Sequence, residues 1–413
     1  MCCIKWQSLR RFAPRHRTRN VHRGRSLVRR EIAVGILALV LMLVPRSVES
    51  HSDSRETVRQ EYVGDESCRS CHPEKVQSYW NTAHHLTSRL PNRESILGSF
   101  AKDKNVLKTS NPALYFRMES RADGFYQTSN RAFPPVSTTR SERFDVVIGS
   151  GRVGQTYLYW KDEQLFQLPV SYWVDLDSWI NSPGYRDGTA NFERPVIPRC
   201  LECHTTYAQA LSASISTNRY KPGSLILGIS CERCHGPGRA HLEAMAAKKA
   251  ASIINPVKLS RESQMDVCAQ CHGGRRIPTS DSFSYIPGEP LDKYYRVDEA
   301  DPGAPVDVHG NQVALLRQSR CYQSSTNLVC TTCHDVHQPQ RDVEAFSDRC
   351  VKCHRAENCG EYPKLRAKIV SACVNCHMPV QASNRIITNS NGKKTRAMVR
   401  SHWIKVYEDS RTP

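Results

Sequence analysis

No apolar run in this 413-residue sequence is long enough to cross a bilayer comfortably. The longest, Ile32 to Val44, has 13 residues, where a spanning helix needs about 20. It comes after a basic stretch holding Arg10, Arg11, Arg15, Arg17, Arg19, Arg23, Arg25, Arg29 and Arg30, and precedes Pro45 and the small-residue pattern Val48-Glu49-Ser50. That order reads as a secretory signal peptide over residues 1–50, cleaved after Ser50. An uncleaved N-terminal segment that anchors the protein on the membrane is the alternative. Acidic residues are also scarce: 40 Asp and Glu stand against 58 Lys and Arg, a net +18. Such an excess ordinarily suggests nucleic acid. Half of it lies in residues 1–50, which hold 11 basic and 2 acidic residues, leaving 47 against 38 for the remainder. Cysteine, finally, is missing from the whole stretch between Cys71 and Cys200.

Elsewhere cysteine dominates. Of the 18 cysteines, 14 stand in seven copies of Cys-x-x-Cys-His. These are Cys68/Cys71/His72, Cys200/Cys203/His204, Cys231/Cys234/His235, Cys268/Cys271/His272, Cys330/Cys333/His334, Cys350/Cys353/His354 and Cys373/Cys376/His377. The pentapeptide is the attachment signature of c-type haem: two thiols bond to the porphyrin vinyl groups and the histidine is the proximal iron ligand. Zinc ribbons also use CxxC pairs, but they do not need a histidine after every second cysteine, and seven pairs would leave one unmatched. The expectation is seven covalently bound haem c groups. Each brings two propionates, on the order of 14 negative charges in all, which offset the mature chain's positive excess. Nucleic acid is therefore not expected as a partner. Haem is attached outside the cytoplasm, which favours general secretory export over the weak twin-arginine signal at Arg29-Arg30.

The motifs divide the chain. Residues 51–90 form a first haem-binding segment. Residues 91–199 read as a β-rich insertion: Leu114 to Glu119 and Phe125 to Thr128 flank Asp123-Gly124, and Phe144 to Ile148, Gln155 to Lys161 and Gln164 to Val170 are aromatic and β-branched. Residues 200–380 carry six motifs, with 178 residues between Cys200 and His377. So little chain per haem cannot build a conventional apolar core. The expected fold class is mainly α and irregular, a haem-stacked core with a small antiparallel β insertion. Residues 381–413 read as a C-terminal tail carrying one candidate ligand, His402. Gly149-Ser150-Gly151-Arg152-Val153-Gly154 matches the dinucleotide fingerprint. Gln155 to Trp160, directly after it, are strand-like rather than helical, so a glycine-rich strand connection is the better reading.

Each iron needs a sixth ligand or stays open. The mature chain offers His51, His84, His85, His241, His309, His337 and His402. His51 would be the mature terminus, and adjacent His84 and His85 point about 100° apart on a helix, so only one ligates. Five or six distal histidines thus face seven irons, and at least one haem lacks a histidine partner. Bis-histidine ligation gives lower potentials than a His/Met pair. Cys321 and Cys359 remain, and a bridge between them would close a loop of 38 residues, contributing about 3–4 kcal/mol.

Several segments resemble multihaem c-type cytochromes of the doubled-CxxCH group, related to the tetrahaem cytochromes of ammonia oxidisers. They are Tyr62-Val63-Gly64 through His72 with Trp80-Asn81-Thr82-Ala83-His84-His85, Gly228 through Gly238, Ser319-Arg320-Cys321-Tyr322, Cys330 through His337, and Cys373 through Pro379. Gly149-Ser150-Gly151 to Tyr157-Leu158 also fits. The resemblance implies His85 rather than His84 as the ligand, and periplasmic electron transfer with redox partner proteins such as a quinol dehydrogenase, a cytochrome or a terminal reductase. It does not fix a substrate. Two function classes stay open: an electron carrier, and a multihaem reductase or oxidoreductase acting on a small nitrogen or sulfur oxyanion at an open haem. A sensory or assembly subunit is a third.

Overall fold

A computed structural model describes residues 61–407 except 134, 251–252, 299–305 and 308. The signal segment, Cys2, Cys3 and His51 lie outside the described residues.

Strands are densest between the first two motifs. Val106–Lys108, Leu114–Arg121, Gly124–Phe133 and Val136–Arg143 form a four-stranded antiparallel meander in chain order. Its central hairpin pairs Arg121 with Gly124, so the turn is the two residues Ala122 and Asp123. A second, seven-stranded sheet is built on Gly154–Lys161, which pairs with Val146–Ile148 and Gln164–Gln167 and, at its start, with Val170–Trp173. The run expected from Gln164 to Val170 is broken at Pro169, which has no N–H to donate to the ladder. Gly149–Gly154 joins two antiparallel strands, as a strand connection and not a phosphate loop.

The insertion has an ordinary apolar core. Phe144 and Tyr157 stack at 4.3 Å between ring centres, and Trp179 lies 5.6 Å from Tyr157. Trp179 donates its indole N–H to Ser99 O at 2.8 Å. Gly98 is what lets it in, since a Cβ there would stand 2.1 Å from the indole ring.

The rest of the described chain differs. Its helices are short, and seven of the twelve α-helices described carry part of a motif: Asp65–Arg69, Pro198–Glu202, Glu232–His235, Arg261–His272, Cys330–Cys333, Val343–Cys350 and Ile369–His377. Helix makes up 29% and strand 26% of the described residues, so their fold is mixed rather than mainly α and irregular. The insertion, with sheets of four and seven strands, is larger than the small one expected, because nearly every tyrosine- and valine-rich run in it finds a pairing neighbour. Strand also continues where a tail was expected. Val380–Ser390 and Lys393–Arg400 form an antiparallel hairpin over Asn391 and Gly392, both at positive φ (49° and 74°). Asn-Gly is the strongest short hairpin signal.

Candidate haem sites

The seven motifs meet in a definite order. Cys231 N donates to Asp65 Oδ1 at 3.0 Å, tying the third motif to the first. Arg233 Nη2 donates to Glu202 O at 3.1 Å, tying the third to the second. Arg199 Nη2 donates to Gln270 O at 2.7 Å, tying the second to the fourth. Cys330 Sγ lies 3.7 Å from Met265 Sδ, so the fifth stands against the fourth. The His334 ring is 4.9 Å from Phe346, on the helix leading into the sixth. Ser347 Oγ donates to Ser371 O at 3.1 Å, joining the sixth to the seventh.

Two intervening residues act as struts that the motif pattern alone hides. Glu232, 2% exposed, accepts the backbone N–H of Val63 (2.8 Å), Gly64 (2.9 Å) and Gly238 (2.9 Å). Glu202, fully buried, accepts Phe283 N at 3.0 Å and pairs with Arg199 at 3.1 Å. A buried carboxylate is retained only when so compensated. The available signal was an acidic residue inside CxxCH, in Cys200-Leu201-Glu202-Cys203 and Cys231-Glu232-Arg233-Cys234.

A large cavity of about 2680 Å³ runs among the first five complete motifs and reaches Cys350, Val374 and Met378 of the last two. A pocket for one small ligand is typically about 300–1,000 Å³, so this space is several ligands large. His84, His241, His309, His337 and His402 line it; His85 does not.

Three proximal histidines face a second imidazole across it. Ring centres are 6.1 Å apart for His84 and His272, 6.1 Å for His235 and His337, and 6.2 Å for His334 and His402. Two imidazoles bound trans to one metal at about 2.0 Å each have centres about 6 Å apart, so each pair brackets room for one iron. His309 is an electrostatic neighbour of His204. Nδ1 hydrogen bonds orient the rings: His235 to Ile254 O (2.7 Å), His377 to Lys405 O (2.9 Å) and His402 to Arg400 O (3.3 Å). A carbonyl only accepts, so Nδ1 carries the proton and Nε2 is left as the ligating atom. His204 Nδ1 meets Thr87 Oγ1 at 3.1 Å and His272 Nδ1 meets Gln312 Oε1 at 3.3 Å. Burial pushes His84, His309 and His402 down to about 4, and lowers His204, His272, His334 and His337 as well. All seven are therefore neutral near pH 7, the form that binds metal.

The remaining candidates are placed differently. His85 turns away, with Nδ1 3.2 Å from Asp65 Oδ2 and its ring 6.0 Å from Trp80, so of the adjacent pair it is His84 that meets a proximal histidine. His241 Nδ1 is buried with no hydrogen-bond partner. His72 lines the cavity, while His354 is exposed and outside its lining. Among the described residues no imidazole ring faces His72, His354 or His377. Cys321 and Cys359 are not bridged: Cys321 has Cys333, Cys350 and Cys353 as neighbours, whereas Cys359 stands by Cys373 and Cys376. Nor do three or more His, Cys, Asp or Glu side chains gather to hold one ion, as a zinc ribbon would require, among the described residues.

Residues 184–236 match the profile of the cytochrome c554 and c-prime family, a span that contains the second and third motifs. The C-type polyheme cytochrome OmcC of Geobacter sulfurreducens is 25% identical over 159 residues, 38% of this chain and 20% of that protein. This chain thus spans about a fifth of that relative's length. The crystal structure of the outer cell wall cytochrome OcwA matches with a TM-score of 0.51 at 17% identity, covering 84% of this chain and 80% of that one, a likeness of fold. Together these support a multihaem c-type cytochrome. The cytochrome's residues fit covalent haem c: thiol pairs beside each proximal histidine, facing imidazoles one iron apart, and a common cavity. No helix among the described residues is long and apolar enough to cross a membrane.

Proposed function

We propose that this cytochrome is an exported heptahaem electron carrier, and that the facing pairs are axial ligand sets. In this reading the seven CxxCH pairs hold seven haem c groups, which supply one-electron transfer when bound. His84 is the second ligand at the Cys268 motif, His337 at the Cys231 motif, His402 at the Cys330 motif and His309 at the Cys200 motif. His241, half-buried with a shielded Nδ1 that has no hydrogen-bond partner in the same cavity, supplies one more. The observation that carries the reading is the recurrence of one ring spacing, 6.1–6.2 Å, at three separate motifs. Mostly bis-histidine ligation keeps the potentials low, which suits passage between a quinol dehydrogenase and a cytochrome or terminal reductase. The signal-peptide pattern supports a periplasmic location, and the name of the wall-bound OcwA supports one farther out. The doubled-CxxCH resemblance, with its link to the cytochromes of ammonia oxidisers, agrees with this role.

A second reading rests on one observation: His72, His354 and His377 face no imidazole among the described residues. An open iron there would suit a reductase or oxidoreductase of small nitrogen or sulfur oxyanions.

The test is the reduced absorption spectrum of protein matured with covalent haem, with and without carbon monoxide, alongside a haem count. The carrier reading expects seven haems per chain and carbon monoxide bound at no more than two or three. Carbon monoxide at every haem would refute the bis-histidine assignment. Complete indifference to carbon monoxide would remove the oxyanion reading.

A further inference from the structure

We propose that the face around the Cys350 and Cys373 motifs docks an acidic redox protein, an inference that rests on the electron-transfer reading above. The motifs form a series with two ends. At one end Cys71 and His72 of the first motif are exposed, and next to the other end Cys353 and His354 of the sixth are exposed.

The ends differ in charge. Residues 61–75 carry Glu61, Asp65, Glu66 and Glu74 against Arg69 and Lys75. Residues 349–407 hold 12 Lys and Arg against only Glu357 and Glu361, with no acidic residue from Cys373 to Tyr407. Past residue 50 the chain has 47 basic and 38 acidic residues, so everything outside this segment is left with 35 against 36. Arg385, Lys393, Lys394 and Arg396 lie on the part of the hairpin that packs on the insertion, which leaves eight basic against two acidic residues at this end. Two haems would bring about four propionate charges to it and leave it about +2, while the other haems make the rest of the molecule more negative.

These cations are available for docking. Lys352, Arg355, Lys364, Arg366 and Lys368 are all exposed. Of these five, Lys364 is in an ion pair, with Glu361 at 3.1 Å. More cations flank the seventh motif: Arg400 of the hairpin donates to Met378 O at 2.7 Å, and Lys405, beyond the hairpin, accepts from His377 at its backbone O. A protein polarised in this way turns the same end toward any acidic surface. An acidic protein is favoured over an anionic membrane because the exposed Cys353 and His354 lie within the basic face, where a redox partner has something to reach.

The test compares two charge-matched variants of the haem-loaded protein. Lys352→Glu/Lys364→Glu/Lys368→Glu alters the basic end, and Lys102→Glu/Lys104→Glu/Lys108→Glu alters exposed lysines of the insertion. Stopped-flow oxidation by anionic ferricyanide and cationic hexaammineruthenium(III), and equilibrium binding of an acidic flavodoxin and of phosphatidylglycerol vesicles, are measured at low and high salt. At low salt the first variant should react with ferricyanide about tenfold more slowly, faster with the ruthenium complex, and bind flavodoxin more weakly. The insertion variant should behave as wild type. Equal effects in both variants, or none in either, would overturn the proposal, as would vesicle binding lost in the first variant while flavodoxin never binds. A matched haem spectrum and potential exclude misfolding. A wild-type protein that neither probe oxidises would instead sink the electron-transfer reading itself.

Discussion

Removing the Glu232 carboxylate should detach the first motif from the third. One oxygen, Oε1, accepts the N–H groups of Val63 and Gly238, and the other accepts that of Gly64. A hydrogen bond to a charged group contributes about 1.5–3 kcal/mol. Three of them give roughly 5–9 kcal/mol before relaxation, and water reaching the half-buried Val63 and Gly64 amides returns part of it. We expect Glu232→Ala to cost about 4 kcal/mol in local opening. Glu232→Gln should cost about half as much, because its amide keeps an acceptor at one position and sets a donor against a donor at the other. Each 1.4 kcal/mol is a factor of ten, so amide exchange at Val63, Gly64 and neighbouring residues should quicken about a thousandfold in the alanine variant. Hydrogen–deuterium exchange on the haem-loaded protein reads this directly. Exchange within about threefold of wild type would show that the carboxylate is not a strut.

The facing histidines can be removed singly. His84→Ala, His337→Ala and His402→Ala should each add one haem's worth of carbon monoxide binding, while His85→Ala should add none; the reverse result for His84 and His85 would return the ligand role to His85. Ring planes differ by 73° in the His84–His272 pair, but by 29° and 25° in the His235–His337 and His334–His402 pairs. Crossed imidazole planes leave the iron orbitals they interact with closer in energy, so His84→Ala should delete a strongly anisotropic low-spin paramagnetic-resonance signal and His337→Ala an ordinary one. Burial alone would raise the Asp65 carboxyl, yet hydrogen bonds from His85 and Cys231 hold it below its ordinary value. Its contribution is therefore full above the unfolded value of about 3.9 and lost as pH falls through the lower native one. Exchange at the Cys231 amide, corrected for its intrinsic rate, should accelerate only at the acid end of a pH series.

What could be read from the sequence was local. CxxCH is five contiguous residues whose chemistry needs no fold to be recognised, and the strands of the insertion announce themselves by alternation and turn residues. The hairpin after His377 is equally legible through Ser390-Asn391-Gly392-Lys393, although residues 381–413 read as a tail around the lone His402 rather than as the strands delivering it. The choice between His84 and His85 could not be made locally. Their 100° separation says that they point different ways, and only tertiary contacts put His85 against Asp65 and His84 opposite His272. Cys321 and Cys359 illustrate the same limit. Sequence counts the spare thiols, while packing puts one beside the fifth and sixth motifs and the other beside the seventh.

The insertion acquires its role from the hairpin it holds. Asn181 donates its backbone N–H to Ser390 Oγ at 2.7 Å and its side-chain amide to Asn389 O at 2.7 Å, and its carbonyl accepts Thr388 Oγ1 at 2.6 Å. Ile386 and Ala397 of the hairpin join Trp173 and Ile180 of the insertion in one apolar cluster. The hairpin's far end is pinned in turn: Arg400 bonds the carbonyls of Val374 and Met378, and Ser319 Oγ both donates to His402 O and accepts Ile404 N. His402 is therefore held at both flanks, on an arm whose base is set against the ordinary apolar core of the insertion. Beyond His402, Ile404 packs against the haem-bearing region's own apolar cluster, which includes Met265, Leu291, Tyr294, Tyr295, Val313 and Leu316, so that side of the arm is fixed from within. The β scaffold of the insertion fixes the arm's other end, and this gives the long cysteine-free stretch a structural role beside the series of motifs.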